Sequence, residues 1–368
     1  MAELDAIRAD LPALASLAYL NTGTEGPLPA ATAQAMREAI GEDEVRGRIS
    51  GKRFEKMEKQ LDACRAMMGE MVGVAADRIA LTGGTVDGLR AVLERVAFTA
   101  GDRVVTTDLE HPAALEPLRE IVGRHGLNLE TVAIGTTADD QQVTDAFARA
   151  LAPGARLLLV SHVAYSTGRV LPLAAISRHA REAGAIVLAD GAQAVGAIGV
   201  DIAATGADFY AFPGQKWLLG PEGAGALAVA PGRPDLLGVA MQALERGTAS
   251  KPIWAGMLAS LAWRKSIGSE AERAAAIRAN AAFLRQRLEG VAGVEIVTPR
   301  DSAGLVTVGV RGVAARILLA QLGAKRLAAR DVPGTEWVRI SCGFFNERRE
   351  FEAVAETFAE AARGQGAA

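Results

Sequence analysis

The sequence has few of the residues that hold metals or disulfides: two cysteines and four histidines among 368 residues. Cys64 and Cys342 lie too far apart to form the closely spaced pairs of a zinc site, and they suggest no disulfide framework. None of the histidines has a second histidine or a carboxylate at metal-ligand spacing. We therefore expect no metal centre.

Long apolar runs are also lacking. No run is long enough to span a bilayer, and residues 1–18 carry acidic side chains instead of the uninterrupted apolar core of a signal peptide. The formal net charge is −3 and the sequence pI is about 5.9, which gives no electrostatic argument for nucleic acid. These features predict a soluble, cytoplasmic protein that binds neither a membrane nor nucleic acid.

Apolar side chains, at 50% of the residues, are sufficient for a large core. Helical and strand-like patterns alternate, which predicts an α/β fold with a mostly parallel sheet wrapped by helices. The pattern changes after about residue 250, where we expect a smaller α+β domain. The predicted units are an N-terminal segment (1–18) that packs with the small domain, a large domain (19–250) and the small C-terminal domain (251–368).

Apolar spacing also predicts individual elements. Helices are expected over residues 41–71, 86–98, 173–183, 271–288 and 347–362. Strands are expected over residues 78–81, 103–107, 130–134, 156–160, 294–297 and 305–310.

The most informative stretch lies between residues 185 and 225. One apolar run ends in a carboxylate, Asp190, and a second short run leads into a loop that carries Lys216. In an open α/β sheet, functional groups collect just beyond the carboxyl ends of the strands. The acid and the amine would therefore meet at one edge, which is the arrangement that a pyridoxal 5′-phosphate (PLP) site requires.

Both residue types suit that chemistry. Lysine alone offers a primary amine that condenses with an aldehyde, and desolvation lowers its pKa so that free amine is present near neutral pH. The carboxylate would keep the ring nitrogen of the cofactor protonated. In the alternative interpretation, Asp190 caps a turn and Lys216 is a solvated loop residue. The apolar strand before Asp190 and the PGQKW loop favour the functional interpretation.

Several segments of the chain resemble the class V aminotransferase family of fold-type I PLP enzymes. They are YLNTGTEGPLP, DGAQAVG, GADFYAF, PGQKWL and WVRISCGFFN. The family includes cysteine desulfurases, cysteine/cystine C–S lyases, isopenicillin N epimerase-like proteins and transaminases. The resemblance implies a seven-stranded-type sheet, Lys216 as the Schiff-base lysine and Asp190 as the partner of the pyridinium nitrogen. It further implies that Gln193 reaches the phenolic oxygen of the cofactor.

The glycine-rich turn before the helix predicted over 86–98 is a candidate phosphate cradle. Free backbone N–H groups and the helix dipole would face a dianion there, and Gly84, Thr85 and Val86 correspond to the phosphate-binding turn of the family. An ordinary strand–helix turn is the alternative. Family members usually have a serine or threonine and a histidine just before the lysine. This chain has Pro213 and Gln215, of which only Gln215 retains a donor.

The resemblance implies further contacts around the cofactor. His111 matches the stacking histidine of the family, and Arg339, on an alternating strand, matches its carboxylate-binding arginine. Asn21 and Tyr165 are expected on the substrate side. Thr248 would reach the phosphate of the partner subunit, so we expect a homodimer with sites shared across the interface. The alternatives are a structural histidine, a surface arginine, a buried packing tyrosine and a plain turn.

The expected reaction depends on where cysteine is missing. Desulfurases take up sulfur on a mobile-loop cysteine, whereas residues 325–338 contain none, and Cys64 and Cys342 have the pattern of small buried hydrophobes. We expect a small-molecule amino acid as substrate and a C–S lyase reaction, with β-elimination from cysteine, cystine or a related sulfur amino acid to give pyruvate and ammonia. A class V aminotransferase and a PLP-binding protein without turnover are the alternatives, the latter because of Pro213 and the missing histidine near Lys216.

Overall fold

The computed structural model describes residues 1–231, 241–245 and 249–364, and its largest sheet has seven strands. In chain order these are β2 (Ile79–Thr82), β3 (Arg103–Thr107), β4 (Asn128–Val132), β5 (Leu157–Ser161), β6 (Ile186–Asp190), β7 (Phe209–Pro213) and β8 (Gly225–Val229). They lie in the order β2-β8-β7-β6-β5-β3-β4. Only β8 runs antiparallel to its neighbours, β2 and β7. The expected mostly parallel α/β sheet is confirmed.

Helices cover both faces of this sheet. They are α3 (Gly51–Val72), α4 (Thr85–Leu93), α5 (Pro112–His125), α6 (Asp140–Leu151), α7 (Leu173–Glu182) and α9 (Lys251–Ser266), with the short α8 (Ile202–Thr205) after β6. Successive residues of β5 belong to two different hydrophobic clusters. Leu158 packs in the cluster with α3, α6, α7 and α9, and Leu159 packs in the cluster with α4 and α5. Because a parallel strand is buried on both faces, its sequence is a continuous apolar run.

The C-terminal part forms a second, antiparallel sheet in the order β12-β13-β10-β9. Its elements are α10 (Glu270–Leu288), β9 (Val294–Ile296), β10 (Leu305–Val310), α11 (Ala315–Ala324), β12 (Arg330–Asp331), β13 (Val338–Ser341) and α12 (Arg348–Gly364). The predicted smaller C-terminal domain is confirmed in its architecture, and its boundary at residue 251 stays a prediction.

The first 46 residues contact both parts. Their elements are α1 (Leu4–Ala9), β1 (Ala18–Tyr19) and α2 (Ala30–Arg46), and β1 pairs in parallel with β11 (Leu327–Ala328). Ile7 and Leu11 pack with Trp217 of the large domain and Phe345 of the small one. No helix in the described part of the chain is long and apolar enough to cross a membrane.

The helix predicted over residues 41–71 is wrong as a single element. The chain instead forms α2 and α3 with a break at residues 47–50. Gly47 adopts a φ of 71° at the end of α2, and the Ser50 hydroxyl accepts the Arg53 N–H to cap α3. These are ordinary helix-stop and helix-start signals. The helix predicted over 86–98 ends at Leu93, and the other predicted elements agree within two residues at each end.

Candidate active site at the carboxyl edge of the sheet

The carboxyl ends of the central strands open into a cavity of about 530 Å³. The residues expected from the sequence that line it are Gly84, Thr85, Val86, His111, Tyr165, Asp190, Gln193, Gln215 and Lys216. Arg339 and Asn21 join the same region through hydrogen bonds described below. Thr248 lies outside the described residues, so its contact with a partner subunit stays a prediction.

Lys216 is held in a tight loop directly after β7. The Gly26 N–H donates to the Gln215 carbonyl at 2.7 Å, and the Leu219 N–H donates to the Lys216 carbonyl at 3.1 Å. The pKa of Lys216 is lowered to about 8, chiefly by burial; Asp190 acts in the opposite direction, and the charge of Arg339 contributes to the lowering. An amine with this pKa has far more free base near neutral pH than an ordinary lysine, which suits a nucleophile and base.

Asp190 ends β6 beneath the same cavity and is 5% exposed. Its Oδ1 accepts the Ala192 N–H at 2.8 Å. Burial raises its pKa, whereas Lys216 and the Ala192 hydrogen bond lower it. Tyr210 packs against the turn that follows Asp190, and its hydroxyl lies 2.7 Å from His162 Nδ1. A Cβ at residue 191 would lie 2.1 Å from the Tyr210 ring, so this position of the turn requires glycine.

The turn before α4 fits a phosphate group. The Thr85 hydroxyl is buried and has no hydrogen-bond partner among the described residues, and the first N–H groups of a helix have no intrahelical acceptor. Gly84 has a φ of 151°, and a Cβ on Gly225 would lie 2.6 Å from the Gly84 Cα. The cradle therefore offers backbone N–H groups and a hydroxyl donor, a donor set that binds a dianion. The Asp87 carboxylate also lines the cavity and accepts the Gly83 N–H at 2.9 Å.

Gln215 adds a second buried polar group without a partner. Its Oε1 is buried and accepts no hydrogen bond from the described residues. Because the oxygen and nitrogen of a side-chain amide are interchangeable in assignment, this end can equally be the donor. Together with Thr85, Gln215 offers polar capacity that the protein itself does not use, and a bound phosphate would satisfy it.

His111 presents a neutral, flat ring to the cavity. It caps α5, where its Nδ1 accepts the Ala113 N–H at 3.1 Å, so the ring proton resides on Nε2. Burial and the charge of Lys216 lower its pKa to about 4. The Tyr165 ring meets it edge-on, with centroids 4.6 Å apart. A neutral imidazole held in this way suits stacking on an aromatic cofactor.

Glu110, beside His111, was not expected from the sequence. It is 3% exposed, and its carboxylate accepts the Ser161 N–H at 2.8 Å and the Ser161 hydroxyl at 2.6 Å. Burial raises its pKa to about 8. The contact ties the loop that carries His111 to the end of β5. In the sequence, the only signal for a role of Glu110 is that it directly precedes His111.

Arg339 lies on β13 and is almost fully buried at 3% exposure. Its Nη1 donates to the Tyr165 carbonyl at 2.9 Å and its Nη2 donates to the Thr24 hydroxyl at 3.0 Å. That hydroxyl donates in turn to Asn21 Oδ1 at 2.7 Å. Burial and the charge of Arg330 lower the pKa of Arg339 to about 10. All three candidates on the substrate side therefore share one polar network, Asn21 and Arg339 through their side chains and Tyr165 through its carbonyl.

Arg330 is the principal site residue that sequence reasoning missed. It stands opposite Arg339 across β12 and β13, and its Nη1 donates to the same Thr24 hydroxyl at 3.1 Å. The Pro333-Gly334 turn signal could have found it, because a hairpin turn there folds residue 330 back against residue 339. Two guanidinium groups that converge on one point are a donor set suited to carboxylates.

Neither cysteine lies at the cavity. Cys64 is buried in α3 and Cys342 is buried in the core of the small domain. Burial raises the pKa of Cys64 to about 12 and raises that of Cys342 as well. A thiol held in its protonated form within a core is a poor nucleophile. The interpretation of both as small buried hydrophobes is confirmed.

Known proteins are similar to this chain in sequence and in fold. A family model described as aminotransferase class-V matches residues 18–353. An isopenicillin N epimerase from Amycolatopsis lactamdurans is 29% identical, over 93% of this chain and 94% of its own. A probable cysteine desulfurase from Mycobacterium leprae is 30% identical, over 81% and 79% of the two chains.

Solved structures of the cystine C–S lyase C-DES have the same fold, with a TM-score of 0.89 and 26% identity. One holds glycine covalently linked to its PLP cofactor, and the alignment covers 96% of this chain and 99% of that one. The other holds the reaction product cysteine persulfide, with coverage of 95% and 99%.

Proposed function

This chain belongs to the aminotransferase class-V family, and we propose that within it the protein is a C–S lyase. It is a PLP-dependent enzyme, as the sequence predicted. The proposed reaction on cystine consumes one water molecule and gives pyruvate, ammonia and cysteine persulfide. The bond broken is the one between Cβ and sulfur, and sulfur leaves with the electron pair of that bond.

Gly84, Thr85, Val86 and Gln215 would hold the phosphate. The first N–H groups of α4 have no intrahelical acceptor, and the side-chain polar atoms of Thr85 and Gln215 have no hydrogen-bond partner among the described residues. His111 would stack on the ring, Asp190 would face the ring nitrogen and Gln193 would donate to the ring hydroxyl. When bound, PLP supplies an aldehyde for the amine of Lys216 and a ring that accepts the electron pair released at the substrate Cα.

Residues of the chain perform the proton transfers and the binding steps. Lys216, with a pKa lowered to about 8, removes the proton from the substrate Cα as a general base. Asp190, whose pKa burial raises and the charge of Lys216 partly lowers again, is the carboxylate that would keep the ring nitrogen protonated. Arg339 binds the α-carboxylate. Arg330 is available for the second carboxylate that cystine carries and cysteine lacks.

The buried positions of both cysteines favour a lyase over a desulfurase. A desulfurase needs a thiolate beside the substrate sulfur, and both cysteines of this chain are buried in cores with raised pKa values. Sulfur would therefore leave on a small molecule. The similarity to the cystine C–S lyase C-DES over nearly the whole chain supports the same choice.

The test is a turnover assay with L-cystine and no keto acid present. The proposal expects many equivalents of pyruvate per active site, with the visible absorption band of the lysine-linked cofactor retained. A single equivalent of keto acid, with that band replaced by the absorption of the amine form of the cofactor, would indicate a transaminase. The Lys216→Ala variant is the control and should release no pyruvate.

The dimer belongs to the same proposal. Thr248 would reach the phosphate site of a second copy, so the molecular mass in solution should be that of two chains. A Thr248→Ala variant should bind PLP more weakly than the wild type without losing the dimer. A monomeric wild-type enzyme with full activity would contradict this part of the proposal.

A further inference from the structure

We infer that Trp217 is a positioning residue that ties the loop of Lys216 to the arginine side of the cavity through Gln193. The inference rests on the proposed function only where it concerns substrate binding. Trp217 is 1% exposed and Gln193 is 2% exposed. The indole Nε1–H of Trp217 donates to Gln193 Oε1 at 2.9 Å. Gln193 Nε2 donates in turn to the Gly23 carbonyl at 2.7 Å.

These two contacts determine the orientation of the Gln193 amide. An indole N–H can only donate and a backbone carbonyl can only accept, so the amide oxygen must face Trp217 and the amide nitrogen must face Gly23. One N–H of Gln193 then remains for another acceptor, and Gln193 lines the cavity. Trp217 therefore makes Gln193 a donor toward the cofactor site.

The chain of contacts continues to the substrate side. The Gly23 N–H donates to the Ser341 hydroxyl at 3.0 Å, and Ser341 lies on β13 with Arg339. A Cβ at residue 23 would lie 2.8 Å from Leu305 Cδ2 and 3.1 Å from Gln193 Oε1, so a side chain at this position would crowd both. The next residue, Thr24, carries the hydroxyl on which both arginines converge. Displacing Gly23 would therefore displace that hydroxyl.

The backbone of Trp217 is fixed from the opposite side by α9. Arg264, 1% exposed, donates to the Trp217 carbonyl and to Glu270. Ser260 donates its hydroxyl to the Leu218 carbonyl at 2.7 Å. Since Trp217 directly follows Lys216, these contacts hold the lysine loop and the indole as one unit. The loop therefore cannot shift without moving Gln193.

The experiment compares Trp217→Phe with Trp263→Phe. Both replacements keep a buried aromatic ring and delete one indole N–H. Trp263 packs in the same apolar cluster as Trp217, but its N–H donates to Asp10 at 2.7 Å and not to Gln193. The measurements are the Kd of the apoprotein for PLP and the KM and kcat of the holoenzyme for L-cystine. Thermal unfolding of each variant checks the fold.

We expect Trp217→Phe to weaken PLP binding and to raise KM by about three- to tenfold each, the effect of one lost hydrogen bond, with a smaller change in kcat. Trp263→Phe should leave both constants at their wild-type values. Equal constants in the two variants would overturn the inference. If the Trp217 variant does not fold, Ser341→Ala tests the chain of contacts from its other end, and an unchanged KM there would overturn it.

The two proposals can fail separately. A wild-type enzyme that binds PLP but releases no pyruvate from cystine would contradict the proposed lyase reaction. The comparison of PLP affinities between Trp217→Phe and Trp263→Phe would still decide the role of Trp217.

Discussion

Arg330 and Arg339 stand directly opposite each other on β12 and β13 and donate to the same hydroxyl, that of Thr24. Like charges placed opposite each other in a sheet are unfavourable. The cost is visible in Arg339, because burial and the neighbouring Arg330 lower its pKa to about 10. A carboxylate bound by each of the two guanidinium groups would offset this repulsion.

Substitution of the two arginines should separate their roles. Arg339→Gln removes charge-assisted hydrogen bonds worth about 1.5–3 kcal/mol, so kcat/KM should fall about 10- to 100-fold with any amino-acid substrate. Arg330→Gln should reduce kcat/KM more for L-cystine, with two carboxylates, than for S-methyl-L-cysteine, with one. The exposed Arg300 supplies the control, since Arg300→Gln should change neither value. Equal losses with both substrates in Arg330→Gln would contradict the assigned role.

The lowered pKa of Lys216 predicts how PLP uptake depends on pH. The free amine reacts with the aldehyde, so the rate of PLP linkage to the apoprotein should rise with pH through about 8, rather than near the usual value for lysine. Asp190→Asn removes a charge that raises this pKa, so the transition should move to lower pH. Stopped-flow absorbance measures the rate, and a transition that stays in place in Asp190→Asn would refute the assignment.

The same pKa has a consequence for the stability of the apoprotein. The folded state has the lower pKa, so the unfolded chain binds more protons between about pH 8 and pH 10.5. The contribution of Lys216 to the free energy of unfolding should therefore rise with pH across this window. Denaturant unfolding of the apoprotein, compared with Lys216→Met, would measure it. If the free energy of unfolding of Lys216→Met changed with pH in the same way as that of the wild type, this linkage would be ruled out.

His111 should act as a neutral ring. The pKa of His111 is lowered to about 4. Protonation of His111 should therefore cause no transition in activity between about pH 5.5 and 8, the range around the ordinary pKa of histidine. His111→Phe keeps a flat ring and should retain most of the affinity for PLP, whereas His111→Ala should not. Both variants lose the acceptor that caps α5 and should lose about 1 kcal/mol of stability. Equal PLP affinity in the two variants would argue against stacking.

Part of the site could be predicted because it follows long, regular elements. Asp190 ends an apolar strand and Lys216 follows the next one, so the topology rule for parallel sheets places them at one edge. Arg330 could not be predicted in this way. It lies on a strand of two residues, which is too short to show a period, and its position depends on pairing with β13.

The prediction of one helix over 41–71 was wrong for a different reason. Charged residues continue through both α2 and α3, so composition conceals the break, and only Gly47 and Ser50 mark it.

The hydrogen bond between Trp217 and Gln193 could not be predicted either. Sequence pattern identifies both as buried or close to the site, but a hydrogen bond between side chains of two separate loops appears only once the fold has brought them together.

The central claim is that sulfur leaves on a small molecule and is never carried by the protein. The direct measurement is the intact mass of the enzyme during turnover of L-cystine, with pyruvate and alanine counted in the same sample. The account predicts an unchanged protein mass after the cofactor is removed, pyruvate in large excess over enzyme, and persulfide in the low-molecular-weight fraction. Alanine as the product, with one extra sulfur on Cys64 or Cys342, would contradict it.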